Sequence, residues 1–378
     1  FTFYDHPKVL IFEKTAAYDP VITAQVLGAV DLSNVVHKTP RQASRIGGNL
    51  KLTEAESAIQ VSGGTWRELF PPDSPLNMHP WLAAVTWYLV IMILGWIVYP
   101  IVRIFFKGLT DRGYGFSRLI GLLLLAYFSW LAGSAGIAFS RVTISAVLLG
   151  LLIVGVVTGL LQRRELMQEI KANRRRILII EGLFLGFFLL DLAIRIGNPD
   201  LWHPWKGGEK PMDLSYFTAV LKSTIFPPYD PWYAGGYINY YYYGFVIVGV
   251  LVKWLGIEPA IAYNLVLPTL FAFTGIGAYS IGWNLFARRN EHEIEADAAV
   301  TRASERRSFL AGFAAALALL VAGNLGTIKM FSQGFKRLAA PDGIIDGGGF
   351  FESIGWFFSG LVKFLSGTEL QYGFGDWY

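Results

Sequence analysis

Residues 240–257 read YYYYGFVIVGVLVKWLGI, a run apolar enough to cross a membrane and interrupted by one charge, Lys253. Whether it crosses decides the orientation of every later segment. Tyrosine has an apolar body and a polar tip, so it collects where membrane meets water. Four tyrosines in a row, preceded by FPPYDPWYAGGYIN at 226–239, predict a structured site at a membrane surface.

On either side lie long apolar runs at about 81–106, 117–139, 142–161, 177–196 and 260–286, with a sixth, rich in Ala and Gly, at 308–325. With 53% hydrophobic and only 16% charged residues among 378, the chain reads as a polytopic membrane protein. It begins at Phe1 without a basic n-region or apolar leader and reads as an internal stretch of something longer. No cysteine is present, which excludes disulfides, thiolate metal sites and cysteine nucleophiles. The net charge of +4 does not call for nucleic acid as a partner, because the basic residues sit in loops beside apolar spans.

Those loops set the orientation. Arg103, Lys107, Arg112 and Arg118 fall in one connector, and Arg163, Arg164, Lys171, Arg174, Arg175 and Arg176 in another. Both read as cytoplasmic under the positive-inside rule. Residues 197–239 carry three lysines against four acids and read as extracytoplasmic. If 240–257 crossed, the loop holding Arg288, Arg289, Arg302, Arg306 and Arg307 would fall outside. If it is interfacial or re-entrant, every basic loop falls inside. Lys253 within the run favours the second reading. The segment 350–365, FFESIGWFFSGLVKFL, is short, charged at its flanks and aromatic, and predicts another surface-lying helix.

The expected fold is therefore an all-α polytopic membrane protein with about six transmembrane helices plus interfacial helices, located in the cell membrane. Residues 1–14, with the strand-like KVLIF at 8–12, read as the end of a preceding soluble extracytoplasmic domain. Residues 15–79 read as a linker and 80–176 as the N-terminal transmembrane helices. Residues 177–378 form a second module with an outer loop at 197–259.

The ionisable residues of that outer loop include His203, Glu209, Lys210, Asp213 and Asp230. A carboxylate held at a half-dry surface can act as a general base or metal ligand. Asp213 precedes the helix-like run LSYFTAVLKS and is the first candidate, although an Asp at that place is more often only an N-cap. His203, between Trp202 and Pro204, more often packs than ligates, and Asp230 in Pro-Tyr-Asp-Pro-Trp more often orders its own turn. Trp232, Asn239, Tyr240, Tyr241, Tyr242 and Tyr243 are candidate substrate contacts, with an aromatic belt as the plainer reading. Glu181, Asp191 and Arg195 lie in the span 177–196, where a charge is expected to pair or to serve function. There is no P-loop, no GxGxxG after a strand, no HExxH and no GxSxG.

Glu209-Lys210-Pro211-Met212-Asp213, Phe226-Pro227-Pro228-Tyr229-Asp230-Pro231-Trp232, Ala234-Gly235-Gly236 and Asn239-Tyr240-Tyr241-Tyr242 resemble the signature of the YYY membrane protein family, an uncharacterised prokaryotic group. The wider arrangement is similar to GT-C glycosyltransferases, in which a span leads to a large outer loop bearing an acidic motif, then juxtamembrane helices, then a returning span. That resemblance implies a GT-C-like helical bundle and transfer of a sugar from a polyprenyl-phosphate donor at the outer surface. Asp213 would be the catalytic acid. Lys210 and His203 would contact the donor phosphate, and Trp232 and the tyrosines would line the sugar or lipid path. Glu209 stands four residues from Asp213, so the adjacent acidic pair common in such enzymes is missing and a divalent metal is left open. Rival expectations are a non-catalytic lipid- or glycan-binding scaffold of the same shape and, further off, a transporter.

Overall fold

A computed structural model describes residues 18–29, 39, 42, 50–197, 199, 201, 210–291, 298–368 and 370. The strand expected at 8–12 lies outside the described residues, which contain helices, turns and two isolated β-bridges. After α1 (Pro20–Gly28) come α2 (Glu54–Val61), α3 (Trp66–Leu69) and α4 (Pro75–Met78). These lie within the stretch expected as a linker, and each has a local reason to form. Thr53 and Glu56 make a reciprocal capping box on α2, as do Thr65 and Glu68 on α3, and Ser74 caps α4.

Among the described residues, five helices are long and apolar enough to cross a membrane: α5 (Pro80–Phe105), α6 (Ser117–Ser134, with a 3-10 turn at Tyr114–Phe116 before it), α7 (Arg141–Leu161), α9 (Arg174–Gly197) and α12 (Pro259–Glu291). They fall on the first five apolar runs. The sixth differs. Helix α13 (Ala298–Leu320) takes in Arg302, Glu305, Arg306 and Arg307, ends at Leu320, and is not among the spanning helices. Residues 308–320 of the apolar run are thus the second half of a helix whose first half is charged.

Between these lie α8 (Arg163–Ala172), α10 (Lys210–Lys222) and α11 (Tyr243–Leu255), and α14 (Leu325–Ala339) and α15 (Phe350–Leu365) follow. Helix α11 has 13 residues and is ~20 Å long, short of the ~30 Å hydrocarbon core. Gly256, at φ 68°, stops it in a left-handed cap.

Two compact units divide the described chain. The first draws on Phe1–Ile101, Ser117–Arg163 and Leu192–Leu267. In it, Gly155 of α7 meets the Ile97 carbonyl of α5 so closely that a Cβ would collide. Small residues let helix backbones approach where lipid gives no hydrophobic drive. Helix α11 packs on α6, α7 and α10, burying Val246, Val250, Leu251 and Val252.

The second unit draws on Val102–Phe116, Arg164–Asp191 and Pro268–Tyr378. Arg103 is buried in it, and its guanidinium donates Nε to Glu169 Oε2 at 2.8 Å and Nη2 to Oε1 at 2.6 Å. Phe184 of α9 packs on Phe273 of α12 with rings 5.7 Å apart. Helices α14 and α15 pair through Phe335, which lies 5.6 Å from Phe357 and 5.5 Å from Phe364. The opposite face of α15 leaves Phe351, Phe358 and Val362 exposed, as a surface-lying helix would.

Candidate functional site

Helix α10 begins at Lys210, four residues earlier than the run LSYFTAVLKS suggested, because Pro211 is tolerated in a first turn. Asp213 is therefore not the residue before the helix. It sits inside the first turn, half-buried, with Oδ1 shielded from solvent. The positive end of the helix dipole favours its carboxylate there. Lys210, at the start of the same turn, is half-buried.

Two residues from the ends of spanning helices join Asp213. The Tyr263 hydroxyl lies within electrostatic reach of Asp213, Arg195 and Tyr241. Arg195 is two residues from the end of α9, and Tyr263 stands in the first turns of α12. Arg195 is fixed by Asn264, whose Oδ1 accepts from Nε at 2.8 Å and from Nη2 at 2.5 Å. Asn264 in turn donates Nδ2 to the carbonyls of Ala260 at 3.0 Å and Pro199 at 3.3 Å. An acid, a guanidinium and a phenol thus gather at the ends of two spanning helices.

The tyrosine run divides in two. Tyr240 is 78% exposed and Tyr241 53% exposed, and their rings stack at 5.8 Å. Tyr242 turns inward: its ring stacks on Phe226 at 6.0 Å and its hydroxyl accepts from Trp130 Nε1 at 3.1 Å. Tyr243 meets the Trp130 ring edge-on at 5.3 Å. The division turns on Tyr241, whose φ of 68° is left-handed, a conformation rare for a bulky residue. Such strain concentrates at ligand sites.

The FPPYDPW segment is a clamped loop. Asp230 Oδ1 accepts from the backbone N–H of Trp232 at 2.8 Å and Tyr233 at 3.2 Å, which orders its own turn. Trp232 is half-buried and Asn239 exposed. Lys51 lies 4.4 Å from the Tyr233 ring centroid and donates to the Ala234 carbonyl at 2.7 Å. The Tyr216 hydroxyl is raised above the usual phenol range by burial and, secondly, by Asp230. His203 and Glu209 lie outside the described residues.

Sequence reasoning missed the residue that holds this loop. Gln60, 2% exposed, donates Nε2 to the carbonyls of Ile225 at 3.0 Å and Pro227 at 2.8 Å. Its Oε1 accepts from the N–H of Thr224 at 3.0 Å and Ile225 at 3.3 Å. The two capping boxes flanking it were the available signal that residues 53–69 are folded. Lys253, the charge that argued against a crossing, does not reach out to water. It is 2% exposed, donates Nζ to the Ser223 carbonyl at 2.7 Å and lies 4.5 Å from the Phe139 ring centroid. Burial, with a smaller contribution from Lys222, pushes its pKa down to about 7.

Among the described residues no three His, Asp or Glu side chains converge in a way that could hold a metal ion. Asp213 and Asp230 do not by themselves form a donor set. No curated protein and no solved structure matches the chain. A family model described as "Uncharacterized membrane protein (DUF2298)" matches residues 124–361, more than half of the chain and all of the tyrosine run, Asp213, Arg195 and Tyr263. The protein belongs to this membrane protein family, and its several apolar helices make it multi-pass.

Proposed function

We propose that the chain is an integral membrane glycosyltransferase of GT-C type, taking a sugar from a polyprenyl-phosphate donor on the extracytoplasmic face of the cell membrane. The observation that carries this reading is the grouping of Asp213 with Arg195, Tyr263 and Tyr241 beside the ends of two spanning helices. A donor with a lipid tail and a charged head needs this combination at this depth.

In this reading Asp213 takes the proton of the acceptor hydroxyl as its oxygen attacks the anomeric carbon. The bond from that carbon to the phosphate oxygen breaks, and the electron pair leaves with the polyprenyl phosphate. Arg195 and Lys210 offset the charge on the departing phosphate, with Arg195 already oriented by Asn264. The stacked pair Tyr240 and Tyr241 offers an exposed aromatic face to the sugar. The scaffold reading keeps the same lipid and sugar contacts and drops the proton transfer.

The test is release of polyprenyl phosphate from a panel of lipid-linked sugars by the purified full chain. Turnover that falls with Asp213→Asn supports the enzyme. Donor binding with no turnover of any donor, identical in wild type and Asp213→Asn, supports the scaffold.

A further inference from the structure

A second candidate site lies in the other unit, where α8 gives way to α9 at Asn173. A cavity of about 530 Å³ opens there, within the range of small-molecule sites. Arg175, Arg176 and Arg306 line it against one carboxylate, Glu305. Glu305 pairs with Arg175 at 3.5 Å, but both side chains are largely in solvent, 82% exposed for Arg175 and 47% for Glu305, so the pair is weak. The cavity keeps an excess of two positive charges.

Two features make it more than a basic patch. Arg176 is held in place: Nη1 donates to the Thr110 carbonyl at 2.6 Å, and the guanidinium lies 5.1 Å from the Trp283 ring centroid. Trp283 itself lines the cavity, is only 5% exposed, and its indole N–H is buried with no acceptor among the described residues. A buried donor without an acceptor is destabilising, and a small rotation of the ring toward the cavity would let a bound anion satisfy it. Ile179 and Phe309 supply an apolar wall, and next to them Leu178 and Leu310 are exposed on α9 and α13. The polar end therefore adjoins a surface suited to a hydrocarbon chain.

We propose that this cavity binds the phosphate group of an anionic membrane lipid, with its acyl chains along Leu178 and Leu310. The arginines belong to the connectors that the positive-inside rule assigns to the cytoplasm, where anionic headgroups are presented to basic pockets between helices. This site is separate from the proposed transfer reaction and does not depend on it.

The test uses the purified full chain and native mass spectrometry, with phosphatidylglycerol, phosphatidylcholine and inorganic phosphate as probes. Wild type retains phosphatidylglycerol in preference to phosphatidylcholine. Arg175→Gln and Arg306→Gln, both exposed and safe for folding, each weaken retention about fivefold, and together about 25-fold. Trp283→Phe keeps the ring, removes the N–H and also weakens retention. Equal retention of both lipids, or unchanged retention in all three variants, overturns the site. Displacement of phosphatidylglycerol by inorganic phosphate at equal concentration shows that the phosphate alone is recognised, and overturns the lipid assignment.

Discussion

Replacing Gln60 by leucine removes a clamp of similar size and leaves its four partners without it. The Gln60 amide makes hydrogen bonds of 2.8, 3.0, 3.0 and 3.3 Å to the backbone of residues 224–227. A hydrogen bond contributes about 1 kcal/mol net, and a buried group left unmet costs about 1–3 kcal/mol. Ile225 and Pro227 are half-buried and can recover water, whereas the Thr224 N–H is buried. The expected loss for Gln60→Leu is therefore about 3–5 kcal/mol, concentrated in the loop that carries FPPYDPW. Thermal unfolding of the detergent-purified protein, read with limited proteolysis of residues 224–237, measures both parts. Cleavage within that loop rises in the variant while the spanning helices stay protected. A variant as stable and as resistant as wild type would refute the clamp.

Other expectations follow from single residues. Lys253 is charged in the unfolded chain up to about pH 10.5 but only up to about pH 7 when folded, so stability rises with pH across that window and the burial cost is fully present below it. Lys253→Met removes the slope and raises the unfolding temperature most at pH 6; a parallel pH profile in the two proteins would contradict the burial. Breaking the bidentate pair by Glu169→Gln leaves Arg103 buried with Glu165 at 3.5 Å as a remaining carboxylate and costs about 1–3 kcal/mol in thermal or denaturant unfolding. Tyr242→Phe loses the bond from Trp130 and costs about 1 kcal/mol, visible as a lower unfolding temperature, while donor turnover is retained.

How much could be read beforehand depended on whether local pattern or tertiary contact decided the outcome. The runs at 81–106, 142–161 and 177–196 became Pro80–Phe105, Arg141–Leu161 and Arg174–Gly197, since an uninterrupted apolar run must satisfy its own backbone. The run at 308–325 is marginal in length, and the charged residues at 302–307 share its helix, which the hydropathy of the run alone does not show. Asp213 was the residue selected from the sequence, but its place inside α10 depended on Pro211 acting as a helix start instead of a break. The tyrosine run marked the region. Its split into outward Tyr240 and Tyr241 and inward Tyr242 and Tyr243 hangs on one left-handed residue that no periodicity reveals. Gln60, Arg195 and Tyr263 act across long stretches of chain, so no window of sequence shows their partners.

Whether Asp213 performs chemistry or merely starts a helix is decided by measuring donor binding and donor turnover on the same preparations of wild type and Asp213→Asn. The amide keeps the shape of the first turn and loses the basic oxygen. The expected result is that Asp213→Asn binds a polyprenyl-phosphate sugar about as well as wild type and turns it over about 10²–10⁴-fold more slowly. Equal turnover by the two proteins would contradict it.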